Sequence, residues 1–253
     1  MNTSLDGRVA FISGAGHGIG RATALAMAQL GATIGVNDLK PEFVAETVGE
    51  IERLGGRAIA LAQDVSSREG MRDAVLKLAR EAGRLDILVN NAAWVRYQPV
   101  DEITEDVMDR MLGIGFKSVV WGIQAAAEVM DPERGGSIIN VASVAGLKSP
   151  MRSIVYSGIK AGVLGITRAA AADLGPKRIR VNAVAPGAVP TEGTAKHRNA
   201  DLDARRIGRT PLGRLGTVED IADAICFLAG DASRFINADV FAIDGGASQT
   251  TVG

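Results

Sequence analysis

Seven short runs of this chain are apolar on both sides of a β pleat, and longer stretches with a helical rhythm separate them. The runs are 8–13 (RVAFIS), 32–37 (ATIGVN), 57–63 (RAIALAQ), 85–89 (LDILV), 137–142 (SIINVA), 179–185 (IRVNAVA) and 239–243 (DVFAI). Strands of this kind, not alternating, belong to a parallel sheet covered on two sides. The spacing predicts helices over 20–30, 41–54, 67–82, 104–130, 153–173 and 218–229. Pro41 suits a first helical turn, Gly31 and Gly55 suit helix ends, and Thr217 with Asp220 resembles a capping box. The expectation is a single α/β domain over 1–253, a Rossmann-like doubly wound parallel sheet of about seven strands. The stretch 187–217, rich in Thr, Arg, Asp and Gly, fits neither pattern and reads as a binding loop or lid.

Composition removes several classes of function. Lys plus Arg number 28 against 29 Asp plus Glu, with no basic block, so no electrostatic footprint for nucleic acid is present. One cysteine, Cys226, allows no intrachain disulfide, and His17 and His197 lie far apart without cysteine neighbours, so a metal site is not expected. Asp6 and Arg8 interrupt the place where a signal peptide needs its apolar stretch, and no run approaches a membrane span. The expectation is a soluble cytoplasmic protein with a small-molecule ligand, without nucleic-acid or membrane partners.

The first strand runs into Ser13-Gly14-Ala15-Gly16-His17-Gly18-Ile19-Gly20 and then an Ala-rich helix. Free N–H groups and the positive end of that helix suit a pyrophosphate. Ile19 stands where the dinucleotide fingerprint G-x-G-x-x-G needs its third glycine, so the spacing is Gly14-x-x-x-Gly18-x-Gly20 instead. The second strand ends in Asn37-Asp38, where a carboxylate would accept from ribose hydroxyls and repel a 2′-phosphate. Asp38 therefore favours NAD over NADP, with His17 as a weak counter-signal. Asp64-Val65 and Asn90-Asn91-Ala92-Ala93 follow the third and fourth strands, at the ends where open parallel sheets bind ligands.

Tyr156 and Lys160 stand four apart at the start of a predicted helix and share a face. A tyrosine is a poor base at neutral pH. A neighbouring ammonium and a nicotinamide cation would favour the phenolate, and reaching a pKa near 7 needs roughly 4 kcal/mol. Ser143, at the end of the fifth strand, offers a hydroxyl to polarise a carbonyl or orient an alcohol.

Together, Ser13-Gly14-x-x-x-Gly18-Ile19-Gly20, Asn90-Asn91-Ala92, Ser143, Tyr156-x-x-x-Lys160 and Pro186-Gly187 resemble the short-chain dehydrogenase/reductase family, in order along almost the whole chain. The resemblance implies strand order 3-2-1-4-5-6-7 and NAD(P)-dependent hydride transfer between a secondary alcohol and a ketone. It implies Tyr156 as general acid/base, Lys160 on the ribose and lowering the tyrosine pKa, and Ser143 on the substrate oxygen. Pro186, Gly187 and Thr191 would lie beside the nicotinamide. Three departures stand out: Ala93 for a glycine, Ser13 for a threonine, and Gly115 where the family has an asparagine of the proton relay. Glycine keeps the main-chain carbonyl attributed to that relay but loses the side-chain bonds that shape a helix kink.

Trp94, Val95, Met151, Val155 and Val189 are candidate apolar substrate contacts, with Arg96, Lys148, Arg152 and His197 as candidate polar ones. A regulator or scaffold of the same fold, a 3-oxoacyl-thioester reductase and a dehalogenase without nucleotide are alternatives; the intact triad, Asp38 and the intact glycine loop respectively weigh against them. Ala161, Gly165 and Ala169 form a bare stripe on the 153–173 helix that permits close approach of another helix. With the resemblance, the stripe implies a homo-oligomer, a tetramer, pairing through this helix and 104–130, and residues 246–253 would add a contact.

Overall fold

The computed structural model describes residues 4–193 and 199–251. Strands β1 (Val9–Ile12), β2 (Thr33–Asp38), β3 (Arg57–Ala62), β4 (Ile87–Asn90), β5 (Gly136–Val141), β6 (Ile179–Pro186) and β7 (Val240–Ile243) form one sheet in the order β3-β2-β1-β4-β5-β6-β7. Every pairing is parallel. The strand order reverses between β1 and β4, which opens a crevice at their carboxyl ends.

Helices α1 (Gly18–Gln29), α2 (Pro41–Arg53), α3 (Arg68–Ala82), α4 (Glu105–Leu112), α5 (Ser118–Val129), α6 (Ile154–Leu174), α7 (Ala200–Gly208) and α8 (Val218–Ala229) surround the sheet. Met27, Val44, Ile51, Ile221 and Ile225 of α1, α2 and α8 share one core with Ile12, Ile34 and Val89. Met71, Leu78, Ala126 and Leu174 of α3, α5 and α6 share the other with Phe11, Leu88 and Ile138. The central strands β1 and β4 are buried along their whole length, as double coverage requires. Pro41 opens α2, and the Thr217–Asp220 capping box is formed.

Three expectations need correction. The stretch 104–130 is not one helix: a π-helical turn, Gly113–Lys117, separates α4 from α5. Strand β3 is exposed at three of its six residues although its sequence is apolar, because it is a sheet edge and its alanines present little surface to cover. The stretch 187–217 contains α7, capped by Asn199 accepting from the Leu202 N–H at 2.7 Å. Helix α7 is only nine residues long and buries none of them. His197 and Val252 lie outside the described residues.

Candidate active site

The parallel strands deliver their carboxyl ends to one edge, and the sequence-marked residues gather there. Gly14 takes φ 64°, a left-handed conformation that glycine adopts without strain. A side chain at Gly20 would place its Cβ 2.2 Å from the Gly14 carbonyl oxygen, so close packing of α1 on the turn demands glycine. The turn is braced from β4: Asn91 Nδ2 donates to the Ser13 and Gly14 carbonyls at 3.0 Å. The Ser13 hydroxyl accepts from the Asn91 and Ala92 N–H groups at 3.0 and 3.1 Å. Ser13, Asn91 and Ala92 therefore shape the turn through their mutual bonds. Ala93 is exposed and is not among the positive-φ residues, so its methyl is accommodated.

Glu192 is a site residue that the sequence did not mark. Its carboxylate accepts from the Gly18 N–H at 3.1 Å, at the start of α1. An anion thus already occupies the dipole-favoured end of that helix, an observation that fits the loop as a pyrophosphate cradle. Thr191 lies alongside, within 3.3 Å of where a Gly18 Cβ would be. Ile19 packs on the core beneath. The Asp38 carboxylate accepts from the Gly16 N–H and the Lys40 N–H, both at 3.3 Å. His17 stands edge-on to Phe43, with ring centroids 5.9 Å apart. Asp64 is exposed and accepts from the Ser66 N–H at 2.9 Å, while Val65 is buried. Pro186 ends β6, and the Gly187 N–H donates to the Ile243 carbonyl at 3.0 Å, which fixes this segment to β7.

Ser143 follows β5, its hydroxyl accepts from the Ala145 N–H at 3.1 Å, and it is near enough to the Tyr156 phenol to act against the effect of burial there. One turn along α6, Lys160 is only 3% exposed and donates from Nζ to the Val141 carbonyl at 2.7 Å. Its Nζ lies 5.8 Å from the centre of the Tyr156 ring. Burial pushes the Tyr156 phenol up to about 12, against a smaller lowering by Ser143. Burial also pushes Lys160 down to about 8. In the protein alone, without the nicotinamide cation that the expectation also invoked, burial sets the direction of the tyrosine shift. Desolvation is the largest influence, and Tyr156 holds its proton at neutral pH.

Gly115 is buried in the π-helical turn, so the departure from regular helix forms without the asparagine side chain. Space beside it is tight: a Cβ at Gly115 would lie 3.2 Å from the Ile159 Cγ2. We expect Gly115→Asn to destabilise the fold by about 1 kcal/mol, because overpacking exceeds the gain in helix propensity. Ile159→Leu removes that branch at constant volume, so the double variant should recover most of the loss. A single variant with an unshifted melting temperature would refute this account of the site.

Of the apolar candidates, Trp94 and Val155 pack with Tyr156, Phe116, Met111 and Ile159, and the Arg110 guanidinium lies 4.3 Å above the Trp94 ring. Val95 is partly buried, Val189 packs on the core beneath α1, and Met151 is 90% exposed. Arg96 and Lys148 are exposed, as is Arg152, which takes φ 61°. Sequence reasoning also missed Tyr97, whose ring stands edge-on to Tyr156 at 5.8 Å. Neither Tyr97 nor Glu192 belongs to a local pattern; the fold alone brings each to the site. Among the described residues no cluster of ligating side chains suits a metal ion, and no helix is long and apolar enough to cross a membrane.

The family described as enoyl-(acyl carrier protein) reductase matches residues 14–248. The chain is 38% identical to the 3-oxoacyl-[acyl-carrier-protein] reductase of Thermotoga maritima, over 96% of this chain and 98% of that protein. It is 36% identical to the 2-dehydro-3-deoxy-D-gluconate 5-dehydrogenase of Escherichia coli K12, over 96% of each. A gluconate 5-dehydrogenase from Burkholderia cenocepacia, solved with NADP and tartrate, superposes with a TM-score of 0.94 at 32% identity, covering 99% of this chain and 98% of that one.

Proposed function

The chain belongs to the short-chain dehydrogenase/reductase family and is an oxidoreductase of CH–OH groups, and we propose that it interconverts a secondary alcohol and a ketone with NAD, Tyr156 moving the proton. The observation that carries this reading is the meeting of Ser143, Tyr156 and Lys160 at the carboxyl end of β5, on the edge of the sheet that bears the glycine turn. The nicotinamide, when bound, supplies or accepts the hydride at C4. Gly14, Gly18, Ile19 and Asp38 would hold the adenosine and pyrophosphate, with Asp64 and Val65 at the adenine. Pro186, Gly187, Thr191 and Lys160 would hold the nicotinamide riboside. The Ser143 and Tyr156 hydroxyls hold the substrate oxygen. In reduction Tyr156 gives its proton to that oxygen; in oxidation its phenolate takes one, and the Lys160 ammonium steadies the phenolate. Residues 187–217, with α7, form the substrate-binding loop.

Initial rates with NAD and NADP against a panel of secondary alcohols and ketones test the reading. At least tenfold preference for NAD is expected. Asp38→Ser should shrink it by about 1–3 kcal/mol, through the lost ribose bond and the lost repulsion of a 2′-phosphate. Equal efficiency with both nucleotides in the unaltered protein would refute the assignment. No turnover of any panel member by a protein that binds nucleotide would favour the regulator reading. Reduction of a 3-oxoacyl thioester is the second reading, supported by the Thermotoga relative.

Because Glu192 accepts from the same N–H that would meet the pyrophosphate, it competes with the nucleotide. We expect Glu192→Gln to tighten NAD binding about threefold to tenfold, as a charge opposing the phosphates is removed. Calorimetric titration reads this directly, and unchanged affinity would show that the carboxylate swings clear on binding.

The stripe on α6 supports assembly into a homo-oligomer, a tetramer in this reading. Ala161 and Ala169 are exposed, and open space surrounds the position of a Gly165 Cβ. The stripe thus faces outward and not onto the chain's own sheet. Soluble, cytoplasmic residence is part of the same proposal.

A further inference from the structure

Tyr156 stands in the first turn of α6, and that turn is not held by its own cap. The Ser153 side chain, at the N-cap, makes no bond to the free helical N–H groups. It donates to the Pro150 carbonyl and shares a 2.7 Å hydrogen bond with the Ser157 hydroxyl. First turns left this way fray, since their leading N–H groups have no partner within the helix. A phenolic oxygen lies at the far end of its side chain, so a small tilt of the turn carries it out of the reach that proton transfer requires.

A two-residue segment after β4 grips this turn from outside the helix. The Gln98 N–H donates to the Arg152 carbonyl at 2.9 Å, one residue before the N-cap. The Tyr97 ring stands against the Tyr156 ring, with centroids 5.8 Å apart and planes at 70°. Edge-to-face contact between aromatic rings is directional, so it fixes the tilt of a ring as well as its place. The segment is itself braced, because the Gln98 side chain donates to the Glu102 carbonyl at 2.8 Å. The backbone tie falls on a strained residue: Arg152 takes φ 61°, a conformation that a side-chain-bearing residue keeps only where its surroundings hold it. Tyr97 is 45% exposed, so it walls the site, and truncating it leaves the core intact. Among the described residues, the titratable groups recorded beside the Tyr156 ring are Lys160 of α6, with Nζ 5.8 Å from the ring centre, and Tyr97 itself. Helix α4 meets the same cluster with Val107 and Met111, which carry no charge, and Ser143 after β5 contributes a neutral hydroxyl.

Continuing from the proposed oxidoreductase reading, in which Tyr156 moves the proton, we propose that Tyr97 and Gln98 clamp the first turn of α6, with Tyr97 the positioning residue that sets the tilt of the Tyr156 phenol and keeps water from it. The upward push on that phenol, to which burial and Tyr97 both contribute, agrees with this placement.

The chain has two tyrosines, so any Tyr97 variant leaves Tyr156 as the single one. Full-length variants labelled with 3-fluorotyrosine therefore report Tyr156 alone by fluorine NMR, whether or not a substrate is in hand. Tyr97→Phe keeps the ring contact and Tyr97→Ala removes it. In Tyr97→Ala the signal should move toward that of free fluorotyrosine, and its titration midpoint should fall by about one unit relative to Tyr97→Phe, as water reaches the phenol. Turnover should drop about tenfold in Tyr97→Ala and stay within about twofold of the unaltered protein in Tyr97→Phe, with the NAD dissociation constant unchanged in both. Tyr97→Leu keeps apolar bulk without a ring and should lose turnover as the alanine variant does, which separates the ring contact from a general loss of fold. An unmoved midpoint in Tyr97→Ala, turnover kept by it, or equal loss in Tyr97→Phe overturns the proposal. A signal that responds as expected, in a protein that turns over no panel member even unaltered, would uphold the clamp and defeat the oxidoreductase reading.

Discussion

Tyr156→Phe should lower turnover by about three orders of magnitude or more and leave the NAD dissociation constant within about twofold of the original. The substitution removes one oxygen. The ring keeps its edge-to-face contact with Tyr97 and its packing with Val107, Met111 and Ile159. What disappears is the group that the proposed mechanism assigns to move the proton at the substrate oxygen, and the Ser143 hydroxyl remains far too weak an acid or base to replace it. Tyr156 is pushed up to about 12, so in the protein alone the phenol is protonated across the neutral range. Reduction, which consumes that proton, should therefore need no high pH, whereas oxidation requires the phenolate and should accelerate as pH rises. Pre-steady-state hydride transfer in both directions from pH 6 to 10, with nucleotide titration of the variant, checks the effect. Retention of a tenth of the original turnover by the phenylalanine variant would mean that another group carries the proton.

How much of this was readable beforehand differs from element to element. The runs at β1 and β4 gave themselves away because they are buried on both faces, and burial leaves its mark in the residues themselves. The edge strand β3 has the same composition without the same coverage, since Ala58, Ala60 and Ala62 tolerate either environment. Ser143, Tyr156 and Lys160 were legible because a strand end and one helical turn fix their relation locally. The π-helical turn was not, since the helical rhythm of 104–130 runs on through Gly113–Lys117, and the neighbour that crowds Gly115, Ile159, lies more than forty residues downstream. Glu192 and Tyr97 come from separate segments and acquire meaning only when the fold brings them to Gly18 and Tyr156. The direction of the Tyr156 shift was also hidden. Sequence displays the neighbouring charge but not the depth of burial, and here burial wins.

The same burial makes Lys160→Met the second large effect, with stability and activity moving in opposite directions. Lys160 is pushed from 10.5 down to about 8 by desolvation, which corresponds to about 3 kcal/mol held against folding wherever the lysine is charged in both states. The folded pKa is below the unfolded one, so between about pH 8 and 10.5 the unfolded chain binds the extra proton. Stability contributed through this group therefore rises across that window, and the full cost applies below it. Methionine has similar length and no charge. It relieves the cost but takes the Nζ donor from the Val141 carbonyl, a loss of about 1–2 kcal/mol. The balance is a gain of about 1–2 kcal/mol, or about 2–8 °C in melting temperature for a chain of this size. Turnover should meanwhile collapse, because the phenolate loses its neighbouring cation and the ribose its donor. Scanning calorimetry of both proteins at pH 7 and pH 9.5 decides the matter, with the advantage of the variant expected to narrow at the higher pH. A variant less stable than the original at pH 7 would show that the ammonium is already compensated in the folded chain, and that its placement beside Tyr156 carries no cost to the fold.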